Sequence, residues 1–176
     1  MAWTTPPTYT VGQVLTAANL NTYLRDNTAW LGIDSPHCRV FNSAAISTTT
    51  AVALQLTFDS ERYDVGAMHS TSTSTGRLTV PTGGAGKYHV FGHVEFASNA
   101  TGYRDLALRV NGTTQIGSQI VAGVSGVVTQ LSVASMWAMA VGDFFDLVVL
   151  QTSGGNLNVN ATPGNSAEFG CAWARI

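Results

Sequence analysis

Charge is what this sequence has least of. Of 176 residues only 10% are charged while 45% are hydrophobic, against about a quarter charged in an ordinary soluble domain. So thinly charged a chain is expected to bury extra surface against copies of itself. The net charge is −2 and the eight Lys and Arg are scattered, so there is no basic stripe for nucleic acid or an acidic bilayer. No basic segment leads into an apolar run at the N-terminus, and no apolar stretch reaches the roughly 18 residues of a membrane span. A soluble chain made without a signal peptide or membrane insertion is expected. Two cysteines, Cys38 and Cys171, are too few for a disulfide framework, and free buried thiols are the expectation. Neither a Gly-x-Ser-x-Gly elbow nor an acidic pair at glycosidase spacing is present, so neither an enzyme nor a cofactor is expected.

What is present begins with an arm. Residues 1–15 place Pro6, Pro7 and Gly12 among threonines and have no periodicity with which to fold alone. Trp3 and Tyr9, with the two prolines, mark the arm as a peptide that anchors on a larger assembly. Thr16 then stands as an N-cap before a stretch free of Pro and Gly, which predicts a helix over 16–33. Ala17, Leu20, Leu24, Asn27 and Leu31 recur at spacings of three and four, the seam of a short trimeric coiled coil in which Asn27 would set the register. The same stripe also suits packing on the chain's own sheet. Gly32 and Asp34-Ser35-Pro36 end the helix.

From residue 37 to 176 the pattern is β. Ten runs separated by Ser, Thr, Gly and Asn predict an all-β antiparallel sandwich, a double-sheet jelly roll after one N-terminal α-helix. Its organising stretch is Gly84–Phe96, GAGKYHVFGHVEF. Tyr88, Val90, Gly92, Val94 and Phe96 fall on one face, which is core; His89, Phe91, His93 and Glu95 fall on the other. A solvated face has no need of Phe91 between two histidines, whereas a subunit interface tolerates it. His89 and His93 are about 13 Å apart on such a strand and cannot share a metal. A metal held by symmetry copies of His93 or Glu95 is disfavoured, as is a calcium loop from Asp59, Glu61 and Asp64.

Four segments carry a resemblance. Gly86-Lys-Tyr88-His-Val90, Leu106-Ala-Leu108-Arg-Val110-Asn-Gly112, Val141-Gly-Asp143-Phe-Phe145-Asp-Leu147 and Phe169-Gly-Cys171-Ala-Trp173-Ala stand in the order seen in complement globular-head and tumour necrosis factor-like jelly rolls. The resemblance implies a homotrimer, and it implies that the strand after Gly86 and the strand after Asp143 lie side by side on the subunit face. The interface residues would then be His89, Phe91 and His93 with Phe144, Asp146, Val148 and Leu150. Asp146, buried near an axis, would need a donor such as His93 or a shared cation. It also implies that the first and last strands are neighbours, bringing Cys38 near Cys171. Separately, VGQVLTAANLNTYLRDNTAWL with its aromatic, Thr-rich lead resembles the N-termini of small structural proteins of tailed bacteriophages. The function expected on these resemblances is a virion fibre, spike or capsid decoration, made in the host cytoplasm and joined by its arm to a phage capsid or tail protein. The alternative is a head that binds a host receptor or carbohydrate through loops bearing Asn99, Tyr103, Ser125 and Asn156. A secreted signalling ligand is disfavoured.

Overall fold

The computed structural model describes residues 3–162 and 164–175; the first two arm residues, Pro163 and Ile176, which the expected arm and head include, lie outside that range. Residues 4–18 are exposed and the chain first turns regular at 17. Thr16 caps the helix through its side chain, which accepts from the Asn19 amide. The helical run α1 (17–34) is α over Ala17–Leu20 and Asn27–Ala29 and π over Asn21–Asp26 and Trp30–Asp34. A π turn holds more residues than an α turn, so a repeat of three and four does not stay on one line.

Among the described residues, twelve strands follow: β1 (His37–Phe41), β2 (Ile46–Thr48), β3 (Leu54–Gln55), β4 (Ser60–Val65), β5 (Arg77–Thr79), β6 (Gly86–Phe96), β7 (Tyr103–Val110), β8 (Thr114–Ala122), β9 (Thr129–Met139), β10 (Phe144–Gln151), β11 (Leu157–Val159) and β12 (Glu168–Arg175). Two were not expected, β2 and β4. β4 reads SERYDV and presents no buried apolar residue, so no hydrophobic alternation marks it; a sheet edge supplies its pairing instead. The strands form two antiparallel sheets. In the seven-stranded sheet the order is β2-β11-β6-β12-β1-β4, with β9 on the other edge of β6. In the five-stranded sheet it is β3-β10-β7-β8, with β5 also on β10.

The sheets stack face to face, and alternation decides which side chains fill the space between them. Tyr88, Val90, Val94 and Phe96 of β6 meet Phe145, Leu147 and Val149 of β10, all within the core. The rings of Tyr88 and Phe145 lie 6.0 Å apart, edge to face. At Gly92 the sheets come so close that a Cβ would stand 2.4 Å from Leu147 Cδ1. β6 and β10 are therefore opposite one another, in different sheets. The expectation that they lie side by side is corrected by this: both strands turn their apolar residues to one shared core, and each pairs along its edges with other strands, β6 with β9 and β12, β10 with β7.

Candidate functional site

The outer face of the seven-stranded sheet is built in rows, because partners across an antiparallel ladder point to the same side. One row is His37, Ala172, His89 and Met136; the next is Arg39, Gly170, Phe91 and Ala134; the third is Phe41, Glu168, His93 and Ser132. Small residues surround the large ones. Phe91 lies down on Gly170, where a Cβ would meet its Cζ at 2.5 Å. His89 stacks at 6.3 Å from Phe91, and His93 exchanges a hydrogen bond with Ser132 through Nδ1 (3.1 Å). Met136 is 58% exposed. The result is a low, largely uncharged surface along β6 and β9.

At the β1–β4 side of the same face the charges converge. Glu168 Oε2 accepts from Arg39, with Nε at 2.7 Å and Nη2 also in contact. Its Oε1 accepts from Arg62 Nη2 at 2.9 Å. Arg62 is the extra residue where β4 bulges against β1, between the pairs Arg39–Tyr63 and Val40–Glu61, and a bulge re-aims its side chain across the sheet. The Arg62 guanidinium lies 4.1 Å over the Phe41 ring. Burial pushes the Glu168 pKa up, but hydrogen bonds and charge from Arg62 and Arg39 outweigh it and hold the carboxyl below its ordinary value. Beside them is a cavity of about 470 Å³ lined by Arg39, Arg62, Phe91, His93, Gly164 and Glu168. Nothing in the sequence singled out this Arg–Glu–Arg group, whose members lie up to 129 residues apart; the alternation of His37, Arg39 and Phe41 with buried Cys38 and Val40 was the one available sign.

The other expected interface residues sit on the opposite surface of the molecule. Phe144, Asp146, Val148 and Leu150 do point out of the core as their parity requires, but they belong to the five-stranded sheet. There Asp146, fully buried, pairs with Arg109 of β7, Phe144 is covered by Arg77 at 4.1 Å, and Val148 is only 8% exposed. The donor for Asp146 is thus Arg109, its cross-strand partner, and neither His93 nor a cation is needed.

Along its length the molecule has two ends. At the β6 start, Trp30 is buried and packs edge to face on Trp173 (4.3 Å) and on Trp3 (6.5 Å). Asn27 is buried too. Its Oδ1 accepts from Thr4 N (2.9 Å) and its Nδ2 donates to Thr4 O (2.7 Å). Its amide therefore fastens the arm of its own chain, and the role of setting helix register in a seam is corrected: both sides of the amide are occupied by Thr4. Leu20, Leu24 and Leu31 are 46%, 63% and 54% exposed, so the stripe does not pack on the chain's own sheet. Of the expected anchoring residues, Trp3 is half-buried, whereas Pro6, Pro7 and Tyr9 are exposed.

The far end gathers the loops. Arg104, fully buried, donates to the carbonyls of Asn99, Thr101 and Tyr103. Tyr103 and Thr152 bond each other's main chain or hydroxyl, and Gly123 N donates to Gly102 O. Asn99, Tyr103, Ser125 and Asn156 therefore belong to one cluster of loops, with exposed Ile120, Val124, Val127 and Val128 beside them. Eleven residues of β6 separate this end from the tryptophan end by about 34 Å. Cys38 and Cys171 face each other across β1 and β12; both are free and buried, and burial pushes both thiols up.

No protein-family model and no curated protein matches this chain. Solved structures do. The globular domain of zebrafish complement 1qA protein aligns with a TM-score of 0.56 at 16% identity, covering 80% of this chain and 99% of that one. Murine APRIL, in structures at pH 5.0 and at pH 8.0, aligns with a TM-score of 0.60 at 11% identity, covering 79% of this chain and 98% of that one. The chain thus has the two-sheet sandwich fold of the complement globular-head and tumour necrosis factor-like type.

Proposed function

We propose that the protein is a non-enzymatic, homotrimeric structural component of a phage particle, anchored through its N-terminal arm and helix and presenting the far loops outward. The observation that carries this reading is the arrangement about β6: arm and helix at one end, loops at the other, and between them a low-charge outer face with Met136 exposed and Phe91 half-buried. A face of that composition resembles the core of a subunit interface. The exposed Leu20, Leu24 and Leu31 leave further apolar surface at the arm end for the same assembly to cover, without the single line of a coiled-coil seam because π turns interrupt the helix. The fold is one in which trimers are common, which supports the stoichiometry. Whether the point of attachment is capsid or tail, the arm is the segment that reaches it. Mass spectrometry and antibody labelling of purified particles test the proposal: the chain should be present at a copy number divisible by three, and its absence from particles would refute it.

A second reading, a head that binds a host receptor, is favoured by one specific feature. Ile120, Val124, Val127 and Val128 leave an apolar patch at the outward end, which suits a protein surface better than a sugar, because Tyr103 is the one aromatic of those loops. The two readings are compatible in one molecule.

A further inference from the structure

The charged corner of the candidate interface holds more positive than negative charge, and more donors than acceptors. Arg39 and Arg62 each give Glu168 their Nε and Nη2, which occupies both carboxylate oxygens. Among the described residues, nothing pairs with the Nη1 of either arginine, and His93 Nε2 likewise has no partner while Nδ1 is held by Ser132. Of the other nearby carboxylates, Glu61 points to the opposite side and bonds His69, and Glu95, on the same face two residues beyond His93, is buried and held by Gln130 and Asn160. Among the residues lining the cavity, two guanidinium groups against one carboxylate leave one formal positive charge, and the unpaired donors border its volume of about 470 Å³. The bulge that aims Arg62, its stacking on Phe41, and the clamp of Glu168 between two guanidiniums hold these groups in place. Arginine at a fixed, half-exposed position with spare N–H groups is suited to an oxyanion.

We propose that this cavity binds an oxyanion, a carboxylate, sulfate or phosphate group held by Arg39, Arg62 and His93. The proposal deepens the interface reading. A second copy covering this face would bury the excess charge, and burying an uncompensated guanidinium is strongly unfavourable, so an interface here calls for a counter-anion. That anion comes either from solution or from a carboxylate of the neighbouring copy.

The test is calorimetric titration of the full chain with sodium sulfate at constant ionic strength, with sedimentation in the same buffers. Saturable sulfate binding is expected, weakened at least tenfold by Arg62→Gln and less than twofold by Lys87→Gln, which removes a charge from the same face outside the cavity. If Arg62→Gln does not fold, His93→Ala leaves both ion pairs intact and should weaken binding about threefold. Absence of saturable binding, or equal losses in Arg62→Gln and Lys87→Gln, overturns the proposal. Sedimentation separates the sources: sulfate that strengthens the assembly supports an anion from solution, and sulfate that displaces protomers supports a neighbour's carboxylate. Site and interface also fail separately. Sulfate bound by a single-chain species sustains the site and refutes the interface, whereas a trimer indifferent to both sulfate and Arg62→Gln refutes the site alone.

Discussion

The two outer faces of this sandwich are made to the same rule and finished differently. On the five-stranded sheet several awkward outward residues are answered by a neighbouring strand, Arg109 for Asp146, Arg77 for Phe144 and flanking strands for Val148, while among the described residues Asp105 Oδ1 is buried without a partner and Ile120 stays 62% exposed. On the seven-stranded sheet Met136 stands uncovered, Phe91 lies on Gly170 but stays half-exposed, and two arginines share one carboxylate. The seven-stranded face leaves an exposed methionine and spare arginine donors at its charged corner, and this contrast supports the proposal that the seven-stranded sheet is the subunit interface.

The sharpest way to break the contrast is to remove an internal answer. Arg109→Met leaves Asp146 buried without a partner, and loss of one member of a buried pair should cost about 3 kcal/mol, read by urea denaturation as a lower midpoint at unchanged slope. On the other face, Gly170→Val should cost about 2 kcal/mol, since its side chain collides with Phe91 and with the Cys38 carbonyl, 2.9 Å from the new Cβ; it should disturb assembly as well as stability, which Arg109→Met should not. Asn27→Ala gives up the fastening of Thr4 and should cost about 1 kcal/mol, with loss of protection of the Thr4 amide in hydrogen exchange while the sheets keep theirs.

The smallest effect is on pH. The folded Glu168 pKa lies below its unfolded value because Arg62 and Arg39 together outweigh the opposing effect of burial. Its contribution to stability is therefore full above the unfolded carboxylate pKa of about 4.3, and is lost as pH falls through the folded value. Melting temperatures of wild type and Glu168→Gln between pH 3 and 6 should differ most at the upper end and converge toward the lower.

These contrasts also mark how far the residue pattern could be read. Parity alone separated Tyr88, Val90, Phe145 and Leu147 from His89, Phe91, Phe144 and Asp146, because alternation is local and a slip of one residue would put Phe91 into the core. Which strand sits beside which is not local. Nothing near residue 146 reveals that Arg109 is its cross-strand partner, and nothing near β10 reveals that it faces β6 across the core. The same holds for Asn27: its position in a leucine repeat suggested a seam, but π turns and the nearby main chain of Thr4 decide its use. Edge strand β4 was invisible because it has no apolar side to display, and with it went Arg62, one of the three members of the charged cluster.

The central claim is that the outer face of the seven-stranded sheet joins the subunits. Sedimentation equilibrium of wild type and Phe91→Asp, with circular dichroism on the same samples, tests it most directly. Wild type should sediment at three times the 18.5 kDa of one chain, and Phe91→Asp, whose side chain lies outside the core, should sediment as single chains with an unchanged β spectrum. A wild-type protein of one chain mass, or a Phe91→Asp protein that remains a stable trimer, would contradict the assignment of that face.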